Sequence, residues 1–312
     1  MLATAGVLAL VSAWTPLDPP GWLPTAGAVT ITTLYSYGLA ARTGGRPFVS
    51  GGLALALTVG SVLSGLPVLV AGAAVCTAVL AAVLGVMATK PAAGFATVVG
   101  ECALATVVAA VGAFAVEAYQ AQVSLERIGY LALAGALLVA LGLVYRLGAG
   151  LHGLGRRGAL MLISGLGLLL VILAYTEALS RWGSPAMIRS IDETITSLRS
   201  TIGAVPRPLA VLLGFPALAW GVSTRARRRQ GWWVCAFGAA GLAVVSVALL
   251  NPVVSLAEAG LSLLYSAVLG LMLGYLVIRA DQFLTGARGR RARRLEEASA
   301  HRPEPGRMQP LL

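Results

Sequence analysis

A carboxylate and a thiol stand side by side in VVGECALATVV, residues 98–108, inside a run of otherwise small or apolar residues. A carboxyl group that gains and loses a proton within a membrane helix is what a coupled carrier requires. Lys90 and Pro91 mark the start of the helix that contains Glu101. Ten residues beyond Pro91 is about 15 Å of rise, or about 9 Å if the hydrocarbon begins at Phe95. Gly94, Thr97, Glu101, Ala105, Ala109 and Gly112 fall on one helical stripe. Small residues let helices approach closely, so Glu101 is expected to face protein or a cavity rather than lipid.

A second carboxylate opens a similar string. EAGLSLLYSAVLG sets Glu258, Leu261, Ala267 and Val268 where the first string has Glu101, Leu104, Ala110 and Val111. If these strings open the fifth and tenth helices of two oppositely oriented halves, the chain is an inverted repeat, the arrangement many carriers use for alternating access. The match is short, and a chain rich in small apolar residues repeats such strings by chance. Glu101 and Glu258 are the candidate proton or ion site. Tyr35, Tyr37, Tyr175, Glu177 and Tyr265 are the candidates for lining a path.

Other chemistry finds little material. GAGLHG, residues 148–153, matches the dinucleotide fingerprint by letter, but a membrane helix precedes it and no strand–helix–strand unit surrounds it. What survives is a glycine-rich turn whose Arg156 and Arg157, with Arg225, Arg227, Arg228 and Arg229 further along, are candidate contacts for anionic headgroups. There is no HExxH, no GxSG beyond VLSG at 62–65, and no pair of membrane aspartates. Asp18 in WTPLDPPGW is the acid a lipid-linked transferase would use in an outer loop, and is more simply part of a rigid turn. His152 and His301 are far apart, and Cys76, Cys102 and Cys235 lie in apolar runs without a CxxC pair. The reading expects no metal, no cofactor and no catalytic residues.

The elements that carry these residues follow from composition. Of 312 residues, 58% are hydrophobic and 11% charged, with mean hydropathy +0.85. Such a chain cannot cover itself with polar surface, so an integral membrane protein is expected. The net charge is +11, and Lys90 is the single lysine among 23 basic residues. That arginine bias points to a high-GC bacterium and a plasma-membrane location; since the charge falls on loops and tail, nucleic acid is not an expected partner.

Apolar runs predict spans at 22–41, 47–64, 67–89, 94–117, 128–146, 158–178, 207–223, 231–250 and 259–279, with 2–14 a short tenth. The expected fold is thus an all-α polytopic bundle of about ten transmembrane helices, or nine if the first run does not span. Arg42 and Arg46, Lys90, Arg146 with Arg156 and Arg157, the arginines at 225–229 and the tail all fall on alternate loops. The positive-inside rule makes that side cytoplasmic, with both termini inside.

SPAMIRSIDETITSLRSTIG puts Ile188, Ile191, Ile195, Leu198 and Ile202 on one helical face. Ser184 can cap it, Pro185 can start it, and Arg189 can meet Glu193. Residues 184–203 are therefore expected to lie on the outer membrane surface as an amphipathic helix. Residues 1–280 form the expected membrane domain and 281–312 a basic, disordered cytoplasmic tail, including RGRRARR at 288–294. The bilayer, with anionic lipids at its cytoplasmic face, is the expected partner.

Ten helices in about 300 residues with both ends inside resembles the drug/metabolite transporter superfamily in size and topology, although the residues carry no motif of that family. The first functional reading is a small-solute or ion carrier coupled to protons. The alternative is a non-enzymatic envelope protein that binds lipid or organises partners, and a lipid-linked transferase is third.

Overall fold

The computed structural model describes the chain except for residues 16–18, 123, 150, 227–230, 252–253, 286–304 and 312; of the side chains at 148–149, 151–157, 180 and 285 nothing is described. The described residues are all-helical, without strands. Eleven α-helices follow in order: α1 (Leu2–Val11), α2 (Trp22–Arg42), α3 (Pro47–Ser64), α4 (Pro67–Met87), α5 (Phe95–Ala118), α6 (Leu125–Val144), α7 (Leu151–Trp182), α8 (Pro185–Ile202), α9 (Phe215–Arg225), α10 (Gly231–Ser246) and α11 (Leu256–Thr285).

Among the described residues, six helices are long and apolar enough to cross a bilayer: Pro47–Ser64, Pro67–Met87, Phe95–Ala118, Leu125–Leu147, Gly158–Leu179 and Leu256–Leu284. Leu2–Trp14 and Gly231–Ser246 are shorter apolar helices. The chain is a membrane-embedded helical bundle. α3 and α7 turn exposed Leu53, Leu57, Leu63, Leu160, Ile163, Leu170 and Val171 outward. An apolar surface of that extent is stable only against lipid or another protein.

The chain turns where its sequence breaks the helices. Gly65 takes φ 62° and caps α3, and Pro67 begins α4, so the hairpin between them needs only two residues. Pro216 has no N–H to give to Leu212, and a five-residue π-helical turn, Ala210–Gly214, precedes it. The expected span at 207–223 is therefore a π-helical turn followed by α9.

α10 explains itself by position. It is apolar all round, and it packs against α4, α5, α6 and α9; only Trp232 and Val244 within it are not fully buried. An all-apolar helix belongs at the centre of a bundle. Close approach there depends on missing side chains. A Cβ on Gly241 would lie 2.4 Å from the Gly214 Cα, and one on Gly221 would meet the Cys235 sulfur at 2.5 Å. The same small-residue packing joins α4 to α5, where a Cβ on Gly112 would overlap Ala81.

Most buried polar side chains among the described residues are hydrogen-bonded, although the indole N–H groups of Trp220 and Trp233 are buried without a partner. Thr32 of α2 lies 2.7 Å from the Thr77 hydroxyl of α4 and 2.9 Å from the Tyr119 hydroxyl beyond α5. Both threonines are fully buried and also donate to or share with their own helix carbonyls. This knot ties the middles of α2 and α4 to the C-terminal end of α5.

α8 forms over the expected residues. Ser184 accepts from the Met187 amide at 3.2 Å, and Pro185 is the first helical residue. Ile188, Ile191 and Ile195 are half-buried on one face, whereas Leu198 and Ile202 are exposed. Arg189 turns back to the Pro185 carbonyl, 3.2 Å away, rather than forward to Glu193. A backbone acceptor within reach of the first turn satisfies the guanidinium without fixing a second long side chain.

Candidate functional site

Glu101 lies in the second turn of α5 with its side chain 8% exposed. It is the one acidic residue among the buried polar residues described. α4 ends at Met87, and Thr89 closes its last turn by donating to the Val86 carbonyl at 2.7 Å. The chain then passes close enough to α5 for the Lys90 amide to donate to Glu101 Oε2 at 2.8 Å. The small residues expected to surround Glu101 do so in part. Val98, Cys102, Ala105, Ala109 and Gly112 are buried, while Gly94 and Thr97 face outward.

The main partner of Glu101 comes from the far end of the sequence. Arg307 donates from Nη1 to Oε2 at 2.5 Å and from Nη2 to Oε1 at 2.7 Å, a two-pronged ion pair. Its Nη1 also donates to the Ala88 carbonyl at 2.9 Å. Hydrogen bonding to the carboxylate pushes the Arg307 pKa above its ordinary value, against a smaller opposing effect of burial.

Two further arginines organise this end. Arg42, the last residue of α2, is fully buried. It donates from Nε to the Met87 carbonyl at 3.0 Å and from Nη1 to the carbonyls of Gly306 at 2.8 Å and Gln309 at 3.2 Å. The Leu311 amide returns a hydrogen bond to the Arg42 carbonyl at 3.1 Å. Arg225, the last residue of α9, is 2% exposed and reaches Thr89 twice, at its hydroxyl (2.7 Å) and its carbonyl (2.9 Å). Its guanidinium lies 3.5 Å from the centre of the Trp232 ring.

Residues 305–311 therefore sit as a compact segment against the ends of α2, α4 and α5. Gln309 closes a turn with Gly306 from both backbone and side chain, at 2.9 Å each. Gly38 leaves room for Met308, whose methyl carbon is 3.0 Å from where a Cβ would be. Leu311 packs against the central apolar cluster.

The second candidate carboxylate is elsewhere. Glu258 is in the first turn of α11, accepts from Arg199 of α8 at 2.8 Å, and its amide is capped by Ser255 at 3.1 Å. Nearby, Ser262 donates to the Val205 carbonyl, before α9. Glu258 thus lies near the chain that leads into α9, and Glu101 lies near its other end, where Arg225 reaches Thr89. The structure does not bring the two acids together.

The path-lining candidates do not converge either. Tyr35 is half-buried and donates to the Val108 carbonyl at 2.7 Å, and Tyr37 stacks edge-on against Phe48. Tyr175 is 61% exposed on α7, Glu177 pairs with Arg181 on the same helix, and Tyr265 donates to the Ile202 carbonyl. Of the candidate headgroup contacts, Arg225 points inward. The side chains of Arg156 and Arg157, and all of Arg227, Arg228 and Arg229, lie outside the described residues, as do Asp18 and 288–294. Among the described residues no group of three His, Cys, Asp or Glu side chains could hold a metal.

Sequence reasoning missed Arg42 and Arg307 as site residues. Arg42 reads from the sequence as a topology-setting loop charge, and Arg307 lies in the tail expected to be disordered. The signal for Arg307 was local: PGRMQPL returns apolar Met308 and Leu311 to the end of a polar tail. No protein-family model, curated protein or solved structure matches the chain.

Proposed function

We propose that the protein is a multi-pass carrier for a small solute or ion, spanning a bacterial plasma membrane about ten times with both termini in the cytoplasm, and that Glu101 is its cation- or proton-binding carboxylate. One observation supports this most. The buried acid is neutralised by Arg307, a side chain on a separate C-terminal segment and itself 38% exposed. A purely structural buried acid is best served by a partner on an adjacent helix; a partner on a separable segment can leave and re-expose the charge. The gathering of Arg42, the Lys90 backbone, Arg225 and residues 305–311 at one end agrees with a cytoplasmic assignment of that end.

The test is flux in proteoliposomes containing a pH-sensitive dye, with a panel of small cations and zwitterions on one side. Glu101→Gln at equal reconstituted amount is expected to abolish solute-driven proton movement; unchanged flux in that variant removes Glu101 from the mechanism.

The alternative, an envelope protein that binds lipid or partners without transport, draws on α8. No residue of this helix is fully buried, and Leu198 and Ile202 remain exposed beside the half-buried isoleucines. If this reading holds, Ile195→Pro abolishes recovery of crosslinked partners or binding to lipid while the panel above gives no flux in the unaltered protein.

A further inference from the structure

The geometry points to a guanidinium-binding site at Glu101, of which Arg307 is the tethered occupant. The inference rests on reading Glu101 as the cation-binding carboxylate, and it names the class of cation: a planar guanidinium or amidinium group. Three acceptors fix that choice. Both carboxylate oxygens and the Ala88 carbonyl receive N–H groups from one guanidinium, at 2.5, 2.7 and 2.9 Å. The carboxylate cannot turn freely to suit another ligand, because the Lys90 amide holds Oε2 at 2.8 Å. An ammonium ion is a point charge that cannot present two parallel N–H groups to the carboxylate and a third to the carbonyl in one plane.

The occupant is built to exchange. The Glu101 side chain is 8% exposed but that of Arg307 is 38% exposed, so the carboxylate is sequestered while water reaches its cation. With Arg307 gone, the carboxylate loses its ion-pair partner and the cover that partner gives, and keeps only the Lys90 amide and the more distant charge of Arg225, a state that favours capturing another cation. The rest of the segment is held mainly by its backbone carbonyls on Arg42 and by Leu311 packing, with the exposed Met308 touching α2 only at Gly38. Residues 305–311 thus act as an internal competitor for the cation.

The experiment uses the purified full-length chain and guanidinium chloride at up to about 50 mM, far below denaturing concentrations, with ammonium chloride and urea as matched controls. Arg307→Ala is expected to gain thermal stability as the logarithm of guanidinium concentration, by several degrees, with no gain from ammonium or urea. The unaltered protein, its site filled, gains little, and Glu101→Gln combined with Arg307→Ala gains nothing. A flat response in Arg307→Ala, or an equal response in the double variant, overturns the proposal. If Arg307→Ala does not fold, the unaltered segment supplies the measurement. Guanidinium should then accelerate maleimide labelling of a cysteine at Leu311 at least several-fold over ammonium, and equal rates overturn it. Absence of flux in the proteoliposome panel with guanidinium binding intact defeats the carrier reading alone; flux that requires Glu101 but guanidinium-independent stability in Arg307→Ala defeats this inference alone.

Discussion

Arg42→Met tests whether the C-terminal segment is held by the buried arginine. Methionine keeps an unbranched apolar stem of similar length and removes both the charge and the donors. In the docked state Arg42 donates to Gly306 at 2.8 Å and to Gln309 at 3.2 Å. Hydrogen bonds from a charged donor contribute about 1.5 kcal/mol each at the lower end of their range, giving about 3 kcal/mol for the two. The bond to the Met87 carbonyl is internal to the helical bundle and is lost in docked and undocked states alike, so it cancels. The carbonyls of Gly306 and Gln309 find water when released, so they add no penalty of their own. Since about 1.4 kcal/mol is a tenfold change in an equilibrium, the undocked population should rise about a hundredfold. The reporter is a cysteine at Leu311, half-buried against the core, in a Cys76→Ala background; Cys102 and Cys235 are fully buried and should stay silent. Labelling of a transiently exposed site tracks the open population. A labelling rate within about twofold of the Arg42 protein would refute the reasoning and leave the apolar contacts of Met308 and Leu311 as the real attachment.

Three further substitutions probe the frame around the site. Gly241→Ala puts a methyl group 2.4 Å from the Gly214 Cα; backbone cannot move aside as a side chain would, so α10 and the π-helical turn before α9 must separate, and stability in detergent should fall by about 1–3 kcal/mol by thermal or denaturant unfolding. Thr32→Val keeps the volume and deletes the shared partner of Thr77 and Tyr119, which should lower stability by about 0.6–1.7 kcal/mol, the range for hydrogen bonds between membrane helices. Ser184→Ala removes the cap on α8, and should weaken that helix by about 1 kcal/mol, read as faster amide exchange over 186–189 with α5 and α10 unchanged.

The helical class was legible because hydropathy and breaks act locally. Pro47, Pro67 and Gly65 set helix ends by backbone sterics that need no tertiary context, and Ser184–Pro185 did the same for α8. The arginines were another matter. A positive charge at a helix end is expected on topology grounds alone, so Arg42 and Arg225 were read as loop charges, whereas both are buried. Nothing within ten residues of Arg42 predicts the carbonyls of residues 306 and 309 as its acceptors, because those contacts close across more than 260 positions. Glu101 was found because an acid in an apolar run is locally anomalous. Its partner could be found only by asking what would neutralise it, and the sequence offers 23 basic residues. The structure reduces the choice by a geometric rule that any substitute must meet. The partner must present two N–H groups to the carboxylate and one to Ala88 while leaving the Lys90 amide in place. Arg307→Lys keeps the charge and loses the fork, so it should weaken docking of 305–311 nearly as much as Arg307→Ala does in the Leu311 cysteine assay. If lysine restored docking in full, charge alone would hold the segment, and the case for a site selective for planar cations would fall with it.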